Sequence, residues 1–226
     1  MVEEIIRELK THYSEKNIEG MKRFGIVPKN AFGVSTPVLL AIAKKYKNNH
    51  ELALELWEHE VREAKHLAIM IEDCKQTTDK QLEKWVSEID SWDICDSFCS
   101  RLVRKLPDAY KKVKKWHIDD REFVRRSAFS TIAWLAVHDK KASDAAFIEL
   151  LRFIEETASD ERNFVKKAVN WALRQIGKRN PRLLEHAKEC AQRIQQQNSK
   201  SARWIANDAI REFNNEKILN RVLNKK

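Results

Sequence analysis

The sequence predicts an all-α protein. Only four glycines and four prolines occur among 226 residues, which is too few for the turns of a sheet-rich fold. Apolar residues recur at three- and four-residue steps through nearly the whole chain, and this is the period of amphipathic helices. The length allows a sizeable core, and we expect a single all-helical domain over residues 1–226.

The first hundred residues contain several short amphipathic segments. Helices are predicted at residues 2–17, from Thr36 onward, at about 50–58 and 60–72, after a cap at Thr78 or Asp79, and from Asp90-Ser-Trp-Asp93. Thr36 is expected to cap its helix with Pro37 at the first position, and Asp90 to cap its own with Asp93 at the third. The segment from Asn17 to Thr36 holds three of the four glycines, so we expect it to be irregular.

The second half has longer and more regular helical patterns. Pro107 is expected to start a helix that carries four lysines, and further helices are predicted at about 120–137, 142–158, 160–179, 181–198 and 200–213, with a short one at the C-terminus. Glu122-Phe-Val-Arg-Arg-Ser-Ala128 is echoed 41 residues later by Asn163-Phe-Val-Lys-Lys-Ala-Val169, and more weakly by Ala202-Arg-Trp-Ile-Ala206. Helix pairs that repeat at about 40 residues are typical of HEAT/ARM-like α-solenoids, so we expect a solenoid with a concave basic face. Its inner helices would carry Arg126, Lys167 and Arg203.

The helix predicted at 160–179 has two faces. Phe164, Val165, Ala168, Ala172 and Ile176 form an apolar stripe. Lys167, Asn170, Arg174 and Lys178 recur on another face, with Trp171 beside them. Such a face suits a nucleic-acid surface, but it is equally typical of a plain surface helix coated with cations.

Charge is distributed unevenly between the two halves. Residues 1–100 contain 14 Lys and Arg against 18 Asp and Glu, whereas residues 101–226 contain 29 against 16. A basic half favours a polyanionic partner, and nucleic acid fits better than a membrane because no helix combines a Trp/Leu face with a uniformly cationic back. A solvated, charge-rich helical protein remains the alternative interpretation.

Several other classes of site and location are disfavoured. The cysteines, Cys74, Cys95, Cys99 and Cys190, lack the spacing of a metal site or a disulfide framework, and we expect them to be buried small residues. The N-terminus lacks an apolar signal region and no apolar run approaches membrane-spanning length, so a cytoplasmic protein is expected. Glycine-rich nucleotide-binding fingerprints and a His-Glu-x-x-His zinc motif are missing.

One carboxylate stands out as a candidate for chemistry. Trp92 and Asp96 are four residues apart, hence on one face of a helix. Asp96 lies beyond the first turn of that helix, so a capping role does not readily explain it. An inter-helix salt bridge to one of the many Lys or Arg residues is the structural alternative.

Three motifs carry a resemblance to a known family: Trp92-Asp-Ile-Cys-Asp96, Phe123-Val-Arg-Arg126 and Phe164-Val-Lys-Lys-Ala-Val-Asn-Trp171. They resemble the AlkC/AlkD-type DNA alkylation repair proteins, which are HEAT-like DNA glycosylases of bacteria. The resemblance extends over nearly the full chain, from Gly33-Val-Ser-Thr-Pro37 to the last repeat.

The resemblance implies an N-glycosylase that excises N3- or N7-alkylated purines from double-stranded DNA held on the concave face. By motif position, Asp96 matches the catalytic carboxylate, Trp92 and Trp171 the DNA-contacting tryptophans, and Arg126 the arginine that grips the backbone. We also expect Lys167, Arg174 and Arg203 to contact the DNA. No metal or organic cofactor is implied, and we expect a monomer.

Two alternatives to excision follow from the same residues. Phe24 stands where active relatives can present a DNA-contacting Tyr, and the family also contains members that bind unusual DNA structures without excision. A non-catalytic protein that binds branched, bent or damaged DNA by shape and backbone charge is therefore the second interpretation. A HEAT scaffold whose basic face meets an acidic protein partner is the third.

Overall fold

The computed structural model describes residues 1–27 and 29–224. Pro28, inside the segment predicted to be irregular, lies outside the described residues. Every regular element within the described residues is helical, so the all-α prediction is confirmed. The chain divides into two compact units, Met1–Leu106 and Pro107–Lys226, and each is described by itself. The single domain expected from the sequence stays a prediction.

In the first unit, residues 1–27 and 29–106 form seven α-helices and one 3₁₀ turn. They are α1 Val2–Thr11, α2 Glu15–Arg23, α3 Thr36–Lys45, α4 His50–Trp57, α5 Arg62–Ile71, α6 Asp79–Ser87, α7 Trp92–Arg101 and the turn Val103–Lys105. In its core α5 packs against α3, α4 and α7. The indoles of Trp57 and Trp85 stack 4.3 Å apart between α4 and α6, with both side chains buried.

The N-terminal prediction of one helix over 2–17 is wrong. The helix ends at Thr11, and Ser14 caps a second helix by accepting a hydrogen bond from the Asn17 backbone N–H at 3.4 Å. This second helix continues through Gly20 to Arg23, so the irregular segment begins later than expected. The glycine count was misleading because one interior glycine weakens a helix by only about 1 kcal/mol, which a cap offsets.

The starts of the next helices follow the sequence with small shifts. Ser35, not Thr36, is the cap of α3, which places Pro37 at the second helical position. Thr78 caps α6 through a reciprocal pair of hydrogen bonds with Gln81, as a capping box.

The second unit consists of seven helices in a repeating arrangement. They are α8 Ala109–Trp116, α9 Glu122–His138, α10 Asp144–Thr157, α11 Asn163–Gly177, α12 Pro181–Gln195, α13 Lys200–Phe213 and α14 Glu216–Leu223. Helix α11 packs between α9 and α13, while α12 packs against α10, so alternate helices form two layers. Each repeat is thus one helix pair, which is the arrangement predicted from the 41-residue echo.

The repeats approach one another closely at the end of α11. A Cβ atom on Gly177 would lie 2.5 Å from the buried Phe213 ring and 3.0 Å from the Ala187 Cβ. We expect Gly177→Ala to lower the free energy of unfolding by about 1–3 kcal/mol, because overpacking outweighs the gain in helix propensity. Urea denaturation followed by circular dichroism measures this.

Gly20 in α2 is the matched control, because a Cβ there meets no atom within 4 Å. Gly20→Ala is expected to raise the free energy of unfolding by about 0.5–1 kcal/mol through helix propensity. Equal effects at the two positions would contradict the packing assigned to Gly177.

Candidate nucleic-acid interface

A buried carboxylate fixes the loop between α2 and α3. Glu63 on α5 is 2% exposed, and its carboxylate accepts the backbone N–H groups of Phe32, Gly33 and Val34 at 3.1, 2.7 and 3.2 Å. Gly33 has a φ of +70°, and a Cβ there would lie 2.3 Å from the Ser14 carbonyl oxygen. Only glycine fits this position, so the segment from Phe32 to Val34 is held in a defined conformation.

This loop, α2 and the start of α7 enclose a cleft of about 600 Å³. Trp92 stands at the cleft with a half-buried side chain, and its indole Nε1 donates a hydrogen bond to the Phe24 carbonyl oxygen at 3.0 Å. Lys16 and Arg23 of α2 also line the cleft. The ring of Phe24 points largely into solvent and is 70% exposed. The cleft therefore combines an anchored indole, an exposed phenyl ring and two cations.

The cap predicted for α7 is wrong. Ser91, not Asp90, precedes the first helical residue, and Asp93 is the second residue of the helix. The Ser91 hydroxyl makes no capping bond, because it accepts a hydrogen bond from Arg62 Nη1 at 2.9 Å. The start of α7 is thus tied to α5 through a buried arginine.

Asp93 belongs to this structural network. Its carboxylate forms an ion pair with Arg62, which is 6% exposed, and lies 3.4 Å from His66 Nε2. Burial alone would raise the pKa of the Asp93 carboxyl, but hydrogen bonds from His66 and the charge and hydrogen bonds of Arg62 outweigh it and hold that pKa well below its usual range. Asp93 is therefore ionised and committed to joining α7 to α5.

Asp96 follows one turn after Trp92 on α7. The two side chains are four residues apart and both are half-buried, so they share one partly solvent-accessible face of the helix. The flanking residues Ile94, Cys95, Phe98 and Cys99 are all buried and hold α7 in the core of the unit. A carboxylate beside an indole on a fixed helix can stabilise a positive charge that develops next to it.

Trp171 on α11 forms an aromatic pair that the sequence did not indicate. Its indole meets Trp134 of α9 edge to face, with centroids 5.4 Å apart and planes at 83°. Trp134 in turn stacks on His138 at 5.5 Å. Trp171 is half-buried, so part of its ring is accessible, and its orientation is set by the neighbouring helix.

The expected basic row on α11 is largely neutralised, which corrects its interpretation as an open cationic face. Asn170 is only 3% exposed and donates to Asp208 at 2.7 Å. Arg174 pairs with Asp208 at 2.9 Å and with Glu212, and Lys178 pairs with Glu212 at 2.7 Å. Both carboxylates come from α13, so the row mainly joins α11 to α13.

Arg126 is also more buried than expected of a residue that contacts the DNA backbone. It is 6% exposed, and its Nη1 donates a hydrogen bond to the Phe164 carbonyl oxygen at 2.7 Å, which links α9 to α11. Contact of Arg126 with a phosphate stays a prediction. Lys167 and Arg203, by contrast, have exposed side chains.

Other kinds of site find no support in the described residues. Cys95, Cys99 and Cys190 are buried, as predicted for small core residues, whereas Cys74 is only half-buried; all four are free thiols. Across residues 1–27 and 29–224, no group of three or more His, Cys, Asp or Glu side chains could hold a metal ion. No described helix is long and apolar enough to cross a membrane.

Sequence reasoning missed Trp134, Asp208 and Glu212. A signal for the two carboxylates was present, because Asp208 and Glu212 are four residues apart, as are Arg174 and Lys178. The two pairs are separated by one repeat of 34 to 38 residues, as their hydrogen bonds show.

Comparison with known proteins agrees with this architecture. A solved structure of a new family of proteins related to the HEAT-like repeat DNA glycosylases, with affinity for branched DNA structures, superposes with a TM-score of 0.77. It is 22% identical, and the match covers 93% of this chain and 94% of the other. This likeness confirms the HEAT-like repeat fold.

A relative in sequence is the uncharacterized protein Lin0241 of Listeria innocua serovar 6a. It is 26% identical over 153 residues, which are 67% of this chain and 66% of that protein, a little under two thirds of its length. The model of the family described as DNA alkylation repair enzyme matches residues 5–213, which contain every candidate site residue named above. The chain belongs to the DNA alkylation repair enzyme family.

Proposed function

We propose that the protein is a DNA N-glycosylase that excises cationic N3- or N7-alkylated purines from duplex DNA. One observation carries the proposal: Trp92 and Asp96 share a partly accessible face of α7, which places a carboxylate one helical turn from an indole.

The chemistry needs only one carboxylate. An alkylated purine already carries a positive charge, so it departs from the sugar without a general acid, unlike the leaving groups of sugar hydrolases that use two carboxylates. As the N-glycosidic bond lengthens, positive charge grows on the deoxyribose. The carboxylate of Asp96 stabilises that oxocarbenium-like sugar and orients the water that attacks it, and the indole face of Trp92 favours the same cation.

Charge supports a polyanionic partner. Residues 107–226 contain 26 Lys and Arg against 16 Asp and Glu, whereas residues 1–106 contain 17 against 18. Contacts of Lys167 and Arg203 with phosphates fit their exposure; Arg174 reaches a phosphate only by leaving its carboxylate partners. The monomeric state and the cytoplasmic location expected from the sequence stay predictions.

Release of methylated bases tests the proposal. Duplex DNA treated with a methylating agent is incubated with the protein, and free 7-methylguanine and 3-methyladenine are quantified by chromatography against the spontaneous rate. Release above that rate is expected. No release by protein that binds the same duplex would overturn the excision activity.

The second candidate is a protein that binds branched or damaged DNA without excision. It is favoured by the 70% exposure of Phe24, whose ring offers a stacking surface but no hydroxyl to a phosphate. The related solved family, with its affinity for branched DNA structures, belongs to the same fold. Tight binding to a four-way junction without base release would support this candidate.

The neutralised row on α11 makes a prediction about salt dependence. Glu212→Gln removes the carboxylate that pairs with Arg174 and Lys178. We expect tighter duplex binding and a log–log salt slope that is steeper by no more than about 1, because Arg174 keeps its ion pair with Asp208 and each additional phosphate contact contributes about 0.9. Fluorescence anisotropy with a labelled duplex at increasing KCl concentration measures both.

Glu185→Gln is the control, since Glu185 on α12 is 67% exposed and pairs with Lys188 only three residues away. The net charge changes by the same amount, but no α11 cation is released. Identical shifts for both variants would mean that the salt slope reports overall charge and not Arg174 and Lys178.

A further inference from the structure

Trp204 is an exposed tryptophan on the first turns of α13. Its side chain is 42% exposed, although its neighbours Ile205 and Ala206 are fully buried. Lys166 on α11 places its Nζ 5.2 Å from the centroid of the Trp204 ring. The indole therefore lies at the junction of two adjacent helices with a cation beside its ring.

Further cations lie on the same two helices, close to Lys166 and Trp204 in sequence. Lys200 is four residues before Trp204 and so lies on the same face of α13, while Lys167 and Arg203 are the exposed sequence neighbours of Lys166 and Trp204. We call Lys166, Lys167, Lys200, Arg203 and Trp204 together the Trp204 patch.

The cations of the Trp204 patch differ from those further along α11. Arg174 and Lys178 are neutralised by Asp208 and Glu212. Within residues 1–27 and 29–224, none of the four cations of the patch forms a salt bridge with a carboxylate. A nearby carboxylate, Glu161, accepts hydrogen bonds from Ser199 Oγ and Ser201 N at 2.8 and 3.1 Å and so helps to cap α13. Lys166 also interacts electrostatically with the Glu161 carboxylate, so one negative charge lies within reach of the patch.

An exposed indole accompanied by four cations matches the chemistry of single-stranded nucleic acid. Bases that are not paired stack on aromatic side chains, and the phosphates on either side are neutralised by Lys and Arg. A paired base within a duplex has no face available for such stacking. The patch therefore fits a strand that has left the duplex.

We propose that the Trp204 patch binds an unpaired nucleobase in a single-stranded DNA segment that adjoins a duplex. The base stacks on the Trp204 indole, and Lys166, Lys167, Lys200 and Arg203 contact the flanking phosphates. Recognition is independent of sequence, because every base has an aromatic face. The inference rests on the DNA binding proposed above and adds a preference for branched or flapped substrates to it.

Binding to two matched DNAs tests the inference. One is a fluorescein-labelled blunt duplex, and the other is the same duplex with a ten-nucleotide single-stranded thymidine flap; affinities are measured by anisotropy at fixed salt. The native protein is expected to prefer the flap. Trp204→Ala should weaken flap binding about tenfold, the effect typical of one lost stacking contact, and change blunt-duplex binding by less than about twofold.

Two further variants sharpen the result. Trp204→Phe keeps an aromatic face and should restore most of the flap affinity. Ile118→Ala removes another exposed apolar side chain of the second unit, 68% exposed and outside the patch, and should change neither affinity.

The outcomes separate this inference from the proposed function. If Trp204→Ala leaves the affinity for the flap unchanged, or lowers the affinity for both DNAs equally, the Trp204 patch does not bind an unpaired base. If the native protein shows no flap preference while methylated bases are still released, the inference is wrong and the glycosylase proposal stands. If the native protein binds neither DNA, both are wrong.

Discussion

Asp96→Asn is expected to slow release of methylated purines about 100- to 1000-fold, the loss that follows removal of one preorganised electrostatic group. The neutral amide has nearly the shape of the carboxylate but cannot stabilise a cationic sugar. Affinity for undamaged duplex should stay the same or rise, because a carboxylate near DNA repels phosphate. Single-turnover release from methylated DNA, with the spontaneous rate subtracted, measures the effect.

Asp90→Asn is the control for this result. It makes the same chemical change two residues before α7, at an exposed position, and should leave the release rate unchanged. Thermal melts show whether the Asp96 variant is folded. A folded Asp96→Asn protein that releases bases at the native rate would exclude Asp96 as the catalytic residue, whatever the origin of the activity.

Asp93→Asn is expected to act on stability instead. It leaves the buried Arg62 guanidinium without its anionic partner, and breaking such a pair costs about 3–5 kcal/mol. Asp93 is itself 24% exposed, so we expect about 3 kcal/mol, or a melting temperature lower by roughly 6–12 °C. Asp90→Asn, on an exposed residue that does not cap α7, should change the free energy of unfolding by less than about 0.5 kcal/mol.

The pH dependence of this loss follows from the lowered pKa of Asp93. A carboxyl whose pKa is depressed in the folded state stabilises the protein fully above its unfolded pKa of about 3.9. That stabilisation is lost as the pH falls from there through the folded pKa. The difference between native protein and Asp93→Asn should therefore be constant at neutral pH and shrink in acid. A difference that stays constant in acid would contradict the assignment of this stabilisation to the ionised Asp93 carboxylate.

The sequence predicted local features well, because they depend on residues within one helix. The helices of the second unit, the Thr78 cap and the shared face of Trp92 and Asp96 all follow from spacing of three or four residues. The N-terminal boundary failed because Ser14 caps a new helix within an uninterrupted apolar pattern.

Contacts between repeats could not be predicted in the same way. The sequence left two interpretations of the α11 row open, a nucleic-acid surface or a plain cation-coated helix, and neither includes Asp208 and Glu212, which neutralise the row and are more than 30 residues further along the chain. Arg126 was expected to contact the DNA backbone because of its motif position, but packing of α9 against α11 buries it and supplies the Phe164 carbonyl as partner. Charge along a sequence gives the composition of a face, and only packing decides which charges remain exposed.

The hydrogen bonds between Glu63 and the segment Phe32–Val34 restrict the motion of that segment. Segments outside helices usually open readily, yet the amides of Phe32, Gly33 and Val34 are bonded to one buried carboxylate. These amides can exchange with solvent only when their hydrogen bonds to Glu63 break, so we expect this wall of the Trp92 cleft to be protected from exchange. A ligand that enters the cleft meets a wall already in place and loses little affinity to the ordering of that loop.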